Sequence, residues 1–308
     1  RDVAPSRGLG DVYKRQALYG LAYWQELQPT RLPENTYREL QLLARQYYQM
    51  TSLLIKAKVD FNALCDQVLP GMQELMSDHA GRHKLSDFVL RYHHTAHILK
   101  MGETRFRKDY CKWAEKKGYR NHERMAALIF ATAQNGIPVL PDAPSTQIVI
   151  TEAIRVLHTV EASRDAILTQ MQALAKTLPE YSLVREMPCI GDTLAPRLIA
   201  EIGDVRRFHS KRALIAYAGI DAPPYQSGKF CANNRHISKR GNRYLRKTGY
   251  EVMQSYVMHK PANDPIFTFI EKKRSEGKSG KLAMVAGLNK FLRVYYGKVT
   301  ELYRSLPQ

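Results

Sequence analysis

Residues 40–68, LQLLARQYYQMTSLLIKAKVDFNALCDQV, are the stretch that decides the fold class. Apolar side chains recur here at alternating spacings of three and four residues over four heptads, at Leu40, Leu43, Tyr47, Met50, Leu54, Ala57, Phe61, Leu64 and Val68. This is the period of a long helix with a coiled-coil seam. Pro70 and Gly71 end the run, because proline cannot continue a helix. The sequence therefore predicts a mainly α-helical protein.

A second run with the same spacing lies further along the chain. All its positions are apolar except Arg164: Ile150, Ala153, Leu157, Val160, Arg164, Ile167, Met171, Leu174 and Leu178. It stops at Pro179. Two such seams fit an antiparallel arm within one chain, pairing with copies in another subunit, or ordinary bundle packing. The sequence does not choose among these, and all three alternatives stay open.

The charge of the chain predicts a polyanionic partner. The 308 residues carry a formal net charge of +18, with 47 Lys and Arg against 29 Asp and Glu. Nucleic acid is the first candidate and an anionic membrane surface the second. A membrane span needs an apolar run of about 18 residues or more, which this sequence does not offer. The four cysteines form no CxxC pair, so we expect neither a zinc knuckle nor a disulfide scaffold, and we expect a cytoplasmic protein.

Composition changes along the chain predict four regions. Residues 1–16, RDVAPSRGLGDVYKRQ, show neither helix nor strand period, and we interpret them as a non-native, adaptor-like tail, with a disordered basic tail as the alternative. A remnant of a preceding domain is expected at 17–34, a helical arm at 35–180, and a C-terminal domain at 181–308. The segment 136–144 contains three prolines and is the clearest linker.

The C-terminal region opens with a predicted helix-hairpin-helix at 183–203, LVREMPCIGDTLAPRLIAEIG. A short helix is followed by a tight turn through Cys189, Ile190 and Gly191, and Asp192 is the expected N-cap of a second helix. Backbone N–H groups at such a turn bind a phosphate without reading base sequence. The alternative is a purely structural hairpin.

Positive charge is concentrated between residues 206 and 247, which contain eleven Lys or Arg and a single acid, Asp221. Ser227 follows a Pro-Pro turn and precedes Gly228, where the main chain can approach a ligand closely. A serine hydroxyl needs a base or a metal to act as a nucleophile at neutral pH, and neither is visible beside Ser227. The alternative for Ser227 is therefore a turn serine or a phosphate contact.

The segment 236–247, HISKRGNRYLRK, supplies further candidates. His236 suits a base or a phosphate contact, and Ser238 is an alternative nucleophile or the N-cap of the following helix. Helical spacing places Arg243, Arg246 and Lys247 on one face, as a basic stripe for a nucleic-acid backbone or as a solvated face. The predicted nucleic-acid-binding residues are Cys189, Ile190, Gly191, Asp192, Lys229, Arg235, His236, Lys239, Arg240, Arg243, Arg246 and Lys247.

Three motifs in this order, MPCIGDTLAPRLIAEIGD, RRFHSKRALIAYAGIDAPPYQSGK and HISKRGNRYLRK, resemble the C-terminal domain of the insertion-sequence 116/110/902 transposases. The resemblance is specific over 183–247 and extends to ALYGLAYWQEL, which begins at Ala17. It implies an enzyme that excises and inserts DNA. It also implies that Ser227 is catalytic and attacks a phosphodiester to form a transient phosphoserine link. DNA, a structured guide RNA and further copies of the chain are the implied partners.

The resemblance also implies a preceding RNase H-like domain in which four acidic residues bind magnesium. Family members place an Asp-x-x-Asp pair just before the segment that matches 17–20, where this chain has DVYKRQ and Asp11 is the nearest acid. We therefore assign no metal ligand in this chain, leave magnesium to the complete enzyme, and expect the chain to bind nucleic acid without completing transposition. The hypothesis from a different class is a non-catalytic helix-hairpin-helix protein that binds nucleic acid.

Overall fold

The computed structural model describes residues 35–78, 83–119, 122–222, 226–227, 230–231 and 236–306. The chain divides into two compact units, Leu40–Leu178 and Arg1–Glu39 together with Pro179–Gln308. Helices dominate both units in the described ranges, which confirms the mainly α prediction. The regions predicted at 1–16 and 17–34 lie outside the described residues. No described helix combines the length and the apolar character that crossing a bilayer requires.

The unit Leu40–Leu178 is built around two long helices with short ones between them. The helices are α1 Asn35–Val68, α2 Met72–Leu75, α3 Lys84–Tyr92, α4 Thr95–Met101, α5 Glu103–Lys116, α6 His122–Asn135 and α7 Pro144–Ala175. The predicted long helix is confirmed in α1, and the chain turns at Gly71 in the left-handed conformation, with φ of 78°. Pro144 opens α7 at a position where its missing N–H costs nothing.

Ordinary bundle packing explains the parts of the two seams that meet the core of this unit. Leu54, Phe61 and Val68 of α1 and Ile150 and Leu157 of α7 are buried in one hydrophobic cluster with side chains from the short helices. An aromatic group fills the middle of that cluster, at Phe88, Tyr92, Phe106, Tyr110 and Trp113. The bundle alternative therefore describes these stretches of both helices.

The second unit contains the helices of the C-terminal region. They are α8 Tyr181–Arg185, α9 Leu194–Ile202, a 3-10 turn Val205–Arg207, α10 Lys211–Ala218, α11 Arg243–His259, α12 Pro265–Ser275 and α13 Gly280–Ser305. Between α10 and α11, strand β1 Gln226–Ser227 pairs antiparallel with β2 Phe230–Cys231. The long α13 packs against α10, α11 and α12. Its Gly287 allows the closest approach, since a Cβ there would lie 2.5 Å from Cγ1 of Ile270.

A buried carboxylate ties the ends of this unit together. Glu180 is 1% exposed and accepts hydrogen bonds from the hydroxyls of Tyr37, at 2.7 Å, and Tyr303, at 2.5 Å. Burial, followed by the charge of Glu180, raises the pKa of the Tyr37 hydroxyl far above its usual value. Burial also raises the pKa of Tyr303. Both hydroxyls therefore keep the protons that satisfy the carboxylate.

Candidate nucleic-acid interface

The segment 183–203, for which the sequence predicted a hairpin, contains the end of α8, a tight turn and α9. Cys189 has φ of 63°, a left-handed conformation that a glycine would adopt without strain, and Ile190 N–H bonds to the carbonyl of Met187 at 3.2 Å. Ile190 is buried, whereas Gly191 is exposed and a Cβ on it would meet no atom within 4 Å. The turn therefore presents backbone at Cys189 and Gly191 and anchors itself through Ile190.

The prediction that Asp192 caps α9 is wrong. The N-cap is Thr193, which makes no side-chain capping bond, and the carbonyl of Gly191 accepts the N–H groups of Leu194 and Ala195. Asp192 instead accepts from Nε of Arg185 at 2.5 Å, because the turn brings the two side chains face to face. The Arg185 guanidinium offsets the carboxylate, which would otherwise repel a phosphate at this turn.

The loop that contains Lys239 and Arg240 is fixed to the end of α10. Three backbone hydrogen bonds join the two segments, from Ser238 N–H to Asp221 O at 2.8 Å, Lys239 N–H to Gly219 O at 3.0 Å and Asn242 N–H to Tyr217 O at 2.6 Å. The contact is so close at Gly241 that a Cβ there would lie 2.1 Å from the carbonyl oxygen of Tyr217. Only glycine fits this position.

Asn242 begins α11 and connects it to the core of the unit. Its Oδ1 accepts from the N–H groups of Tyr244 and Leu245 at 2.9 and 3.1 Å, and its Nδ2 donates to Oε2 of the buried Glu201 at 2.7 Å. The prediction that Ser238 caps this helix is therefore wrong. The hydroxyl of Ser238 donates to Oδ1 of Asp221 at 2.5 Å, because the loop places it four residues before the helix cap.

These bonds close the excursion 222–237, which contains Ser227. Asp221 stands before the excursion and Ser238 after it, and backbone and side-chain hydrogen bonds join the two residues. The segment thus leaves and returns at one point, and the short pair β1 and β2 lies within it. His236 is exposed near its end. Lys229 and Arg235 lie outside the described residues.

The predicted basic stripe on α11 divides into two kinds of residue. Arg243 is exposed, with its guanidinium 4.8 Å from the ring centre of Tyr244, and Lys247 is exposed as well. Arg246 is half-buried and donates from Nη1 to the carbonyls of Ala218 and Gly241, both at 3.0 Å. Arg243 and Lys247 therefore reach the solvent-exposed surface, whereas Arg246 holds the loop against α10.

The structure adds basic residues that the sequence prediction missed. A groove of about 980 Å³ runs beside the start of the excursion, from Ile220 and Ala222 to α12 and α13. Lys278, Lys290 and Arg293 are among its lining residues. These three basic residues lie more than 50 residues after Ile220 in the sequence. The sequence feature that could have revealed them is the three-residue spacing of Lys290 and Arg293, which places both on one face of a helix. Folding therefore extends the basic surface beyond 206–247.

Three of the described carboxylates around this interface are engaged in internal contacts. Glu251 pairs with Arg197 at 2.6 Å, Asp204 with Arg206 at 2.9 Å, and Asp221 accepts from Ser238. Mg²⁺ is usually held by one or two carboxylates together with waters and substrate oxygens. These side chains therefore do not form a donor set for the magnesium that the family resemblance implies.

The family comparison matches this part of the chain. Residues 181–266 match the Transposase IS116/IS110/IS902 family. The matched range contains the hairpin, α10, the excursion with Ser227 and the basic start of α11. This part of the chain is therefore similar to a transposase domain of that family, in the range where the sequence motifs indicated the resemblance.

Curated relatives agree with this assignment. The chain is 22% identical over 259 residues to the insertion element IS110 uncharacterized 43.6 kDa protein of Streptomyces coelicolor, covering 84% of the chain and 62% of that protein. It is 27% identical over 136 residues to the pilin gene-inverting protein of Moraxella bovis, covering 43% and 42% of the two chains. It is 33% identical over 81 residues to the transposase for insertion sequence element IS1111A of Coxiella burnetii, covering 25% and 21%. The chain thus spans less than two thirds of the length of these relatives.

Proposed function

We propose that this chain acts in DNA transposition, as a recombinase that binds, cuts and rejoins the strands of an insertion sequence. The observation that carries the proposal is the closed excursion 222–237, which lies inside the range matched by the transposase family. Ser227 lies within this excursion in the sequence, and the loop that follows the excursion carries the exposed cations Lys239 and Arg240. Cations near a nucleophile suit attack on a phosphodiester, whose charge grows in the transition state.

Ser227 is the proposed nucleophile. Its Oγ forms a bond to phosphorus while the bond from phosphorus to one bridging oxygen breaks, and that oxygen leaves as a hydroxyl after taking up a proton. The serine proton passes to a base, for which exposed His236 at the end of the same excursion is the described candidate. Because the phosphoserine link is itself a phosphodiester, a second hydroxyl attacks it in the reverse sense and rejoins DNA without another energy source.

The exposed cations position the substrate in this proposal. Lys239, Arg240, Arg243 and Lys247 contact backbone phosphates, and the hairpin turn contributes backbone N–H groups. A structured guide RNA suits the same surface, since RNA is bound largely through backbone and shape. A homo-oligomer and magnesium, bound by acidic residues other than the engaged carboxylates described above, remain part of the proposal for the complete enzyme.

The decisive experiment traps the covalent intermediate. The protein is incubated with a nicked oligonucleotide that carries a terminal insertion-sequence end, and the adduct is located by peptide mass spectrometry. We expect a phosphoserine at residue 227 that disappears in Ser227→Ala, while DNA affinity changes less than about twofold. Ser275→Ala, at the exposed end of α12, is the matched control and keeps the adduct. An adduct that persists in Ser227→Ala, or that maps to Ser238, overturns the assignment.

The second candidate function is non-catalytic binding through the predicted hairpin, and the turn with half-buried Cys189 in the left-handed conformation and exposed Gly191 favours it. The same experiment separates the two functions. DNA binding by the unmodified protein without any adduct at residue 227 supports the non-catalytic binding protein. Binding of either kind should weaken steeply with salt, because released counterions drive it.

A further inference from the structure

A cluster of side chains that could hold a metal ion lies in the unit Leu40–Leu178. Asp78, His83 and His158 each offer one ligand atom, and these atoms lie within 4.8 Å of one another. The imidazole rings of His83 and His158 are 4.2 Å apart between centroids. The residues come from the segment before α3 and from the middle of α7.

Only one of the two carboxylate oxygens of Asp78 accepts hydrogen bonds from the described residues. Its Oδ1 caps α3 by accepting the N–H groups of Leu85 at 2.7 Å and Ser86 at 3.2 Å. Its Oδ2 is buried and has no hydrogen-bond partner among the described residues. A buried carboxylate oxygen without a partner is costly, and the tilted pair of imidazole rings does not explain it. A cation between the three residues does.

Further side chains support the two histidines. Nε2 of His158 is 3.1 Å from Oγ of Ser86, and Nδ1 of His83 is 3.7 Å from Oε2 of Glu161, which is itself buried. Hydroxyl and carboxylate groups in such positions orient the histidine ligands of protein metal sites.

We propose that Asp78, His83 and His158 bind a zinc ion that joins the N-terminus of α3 to α7. Two imidazole nitrogens and one carboxylate oxygen are a usual donor set for Zn²⁺, with the fourth position left to Glu161 or water. Ligand atoms around tetrahedral zinc lie about 3.4 Å apart, so modest side-chain rotation closes the observed cluster. The ion pairs with Oδ2 of Asp78 and stabilises the packing between the two helices.

The test is Zn²⁺ binding by the full chain after treatment with EDTA and desalting. Isothermal titration should give one zinc per chain, and the unfolding temperature should rise with zinc. His158→Gln and Asp78→Asn should each weaken zinc binding at least about tenfold, because even the loss of a residue that hydrogen-bonds to a metal ligand has an effect of that size. Asp78→Asn keeps an oxygen that caps α3 and therefore separates loss of the metal from loss of the fold.

His97→Gln is the matched control, because His97 is exposed in the same unit and is not part of the cluster. It should bind zinc as the unmodified chain does. Substitution of cobalt for zinc should give the visible spectrum of a four-coordinate site with nitrogen and oxygen ligands. The proposal is overturned if the unmodified chain binds no stoichiometric zinc, or if binding and thermal stabilisation survive in both His158→Gln and Asp78→Asn.

Discussion

Replacement of Gly241 by alanine should detach the basic loop from α10. The added Cβ would lie 2.1 Å from Tyr217 O, 2.6 Å from Gly219 N and 2.7 Å from Ala216 O. All three atoms belong to the backbone, so no side-chain rotation relieves the clash. The loop must move and weaken the three backbone bonds that fix it. At about 0.5–1.5 kcal/mol for each bond, the expected loss is about 2–4 kcal/mol.

Gly297→Ala provides the matched control. Gly297 lies within α13, and a Cβ on it would meet no atom within 4 Å. Alanine should stabilise this helix by about 0.5–1 kcal/mol. Urea unfolding followed by circular dichroism measures both changes, and hydrogen exchange should show faster exchange at the amides of Ser238 and Lys239 in Gly241→Ala alone. If Gly241→Ala is as stable as Gly297→Ala and those amides stay protected, the argument from close approach is refuted.

Three further predictions concern charges and titratable groups. Arg246→Ala should lower the midpoint of urea unfolding, because two carbonyls lose their hydrogen-bond donor. Arg243→Ala should leave that midpoint unchanged and should lower both the DNA affinity and the slope of its salt dependence. Equal unfolding midpoints for the two variants would contradict the different roles of Arg246 and Arg243. Above about pH 10 an unfolded tyrosine ionises while Tyr37 stays protonated, so stability should fall with rising pH, and a flat profile in urea unfolding from pH 9 to 11 would contradict this. Burial raises the pKa of the Cys65 thiol to about 12, so iodoacetamide at about pH 8 should label Cys65 only after unfolding; rapid labelling of the native protein would refute the burial of this thiol.

Periodicity was enough to predict the long helix α1, including its end before Gly71, because an amphipathic helix repeats its signal over many turns. It could not decide how the helix packs. The same apolar face at Leu54 and Phe61 suits a coiled coil or a bundle, and the choice depends on the short helices between α1 and α7, whose aromatic side chains complete the core. Pairing between distant segments leaves no local signal in a single sequence.

The residue preferences of helix N-caps predicted the wrong capping residue for both α9 and α11. Asp192 and Ser238 are good N-cap residues by type, yet each finds a different partner, Arg185 and Asp221 respectively. The caps are Thr193 and Asn242 instead. A favourable N-cap side chain contributes about 1 kcal/mol to stability, and a charged or buried hydrogen bond formed in the tertiary fold contributes a similar amount. The sequence motifs indicated where α9 and α11 begin to within a few residues, whereas the side-chain contacts at these helix starts depend on the tertiary fold.

The fold also separates the basic residues of 206–247 into those that make internal contacts and those that are exposed. Arg206 pairs with Asp204 and lies over the ring of Tyr303, Arg207 lies between Phe208 and Tyr217, and Arg246 binds carbonyls. These three arginines hold the domain together. Lys239 and Arg240 of the loop and Arg243 and Lys247 of α11 are exposed, and we predict that these cations meet phosphates together with those of the groove on α13. It follows that the salt dependence of DNA binding should reflect fewer contacts than the count of basic residues in the sequence implies, and should respond to substitutions on α13 that lie outside the basic segment altogether.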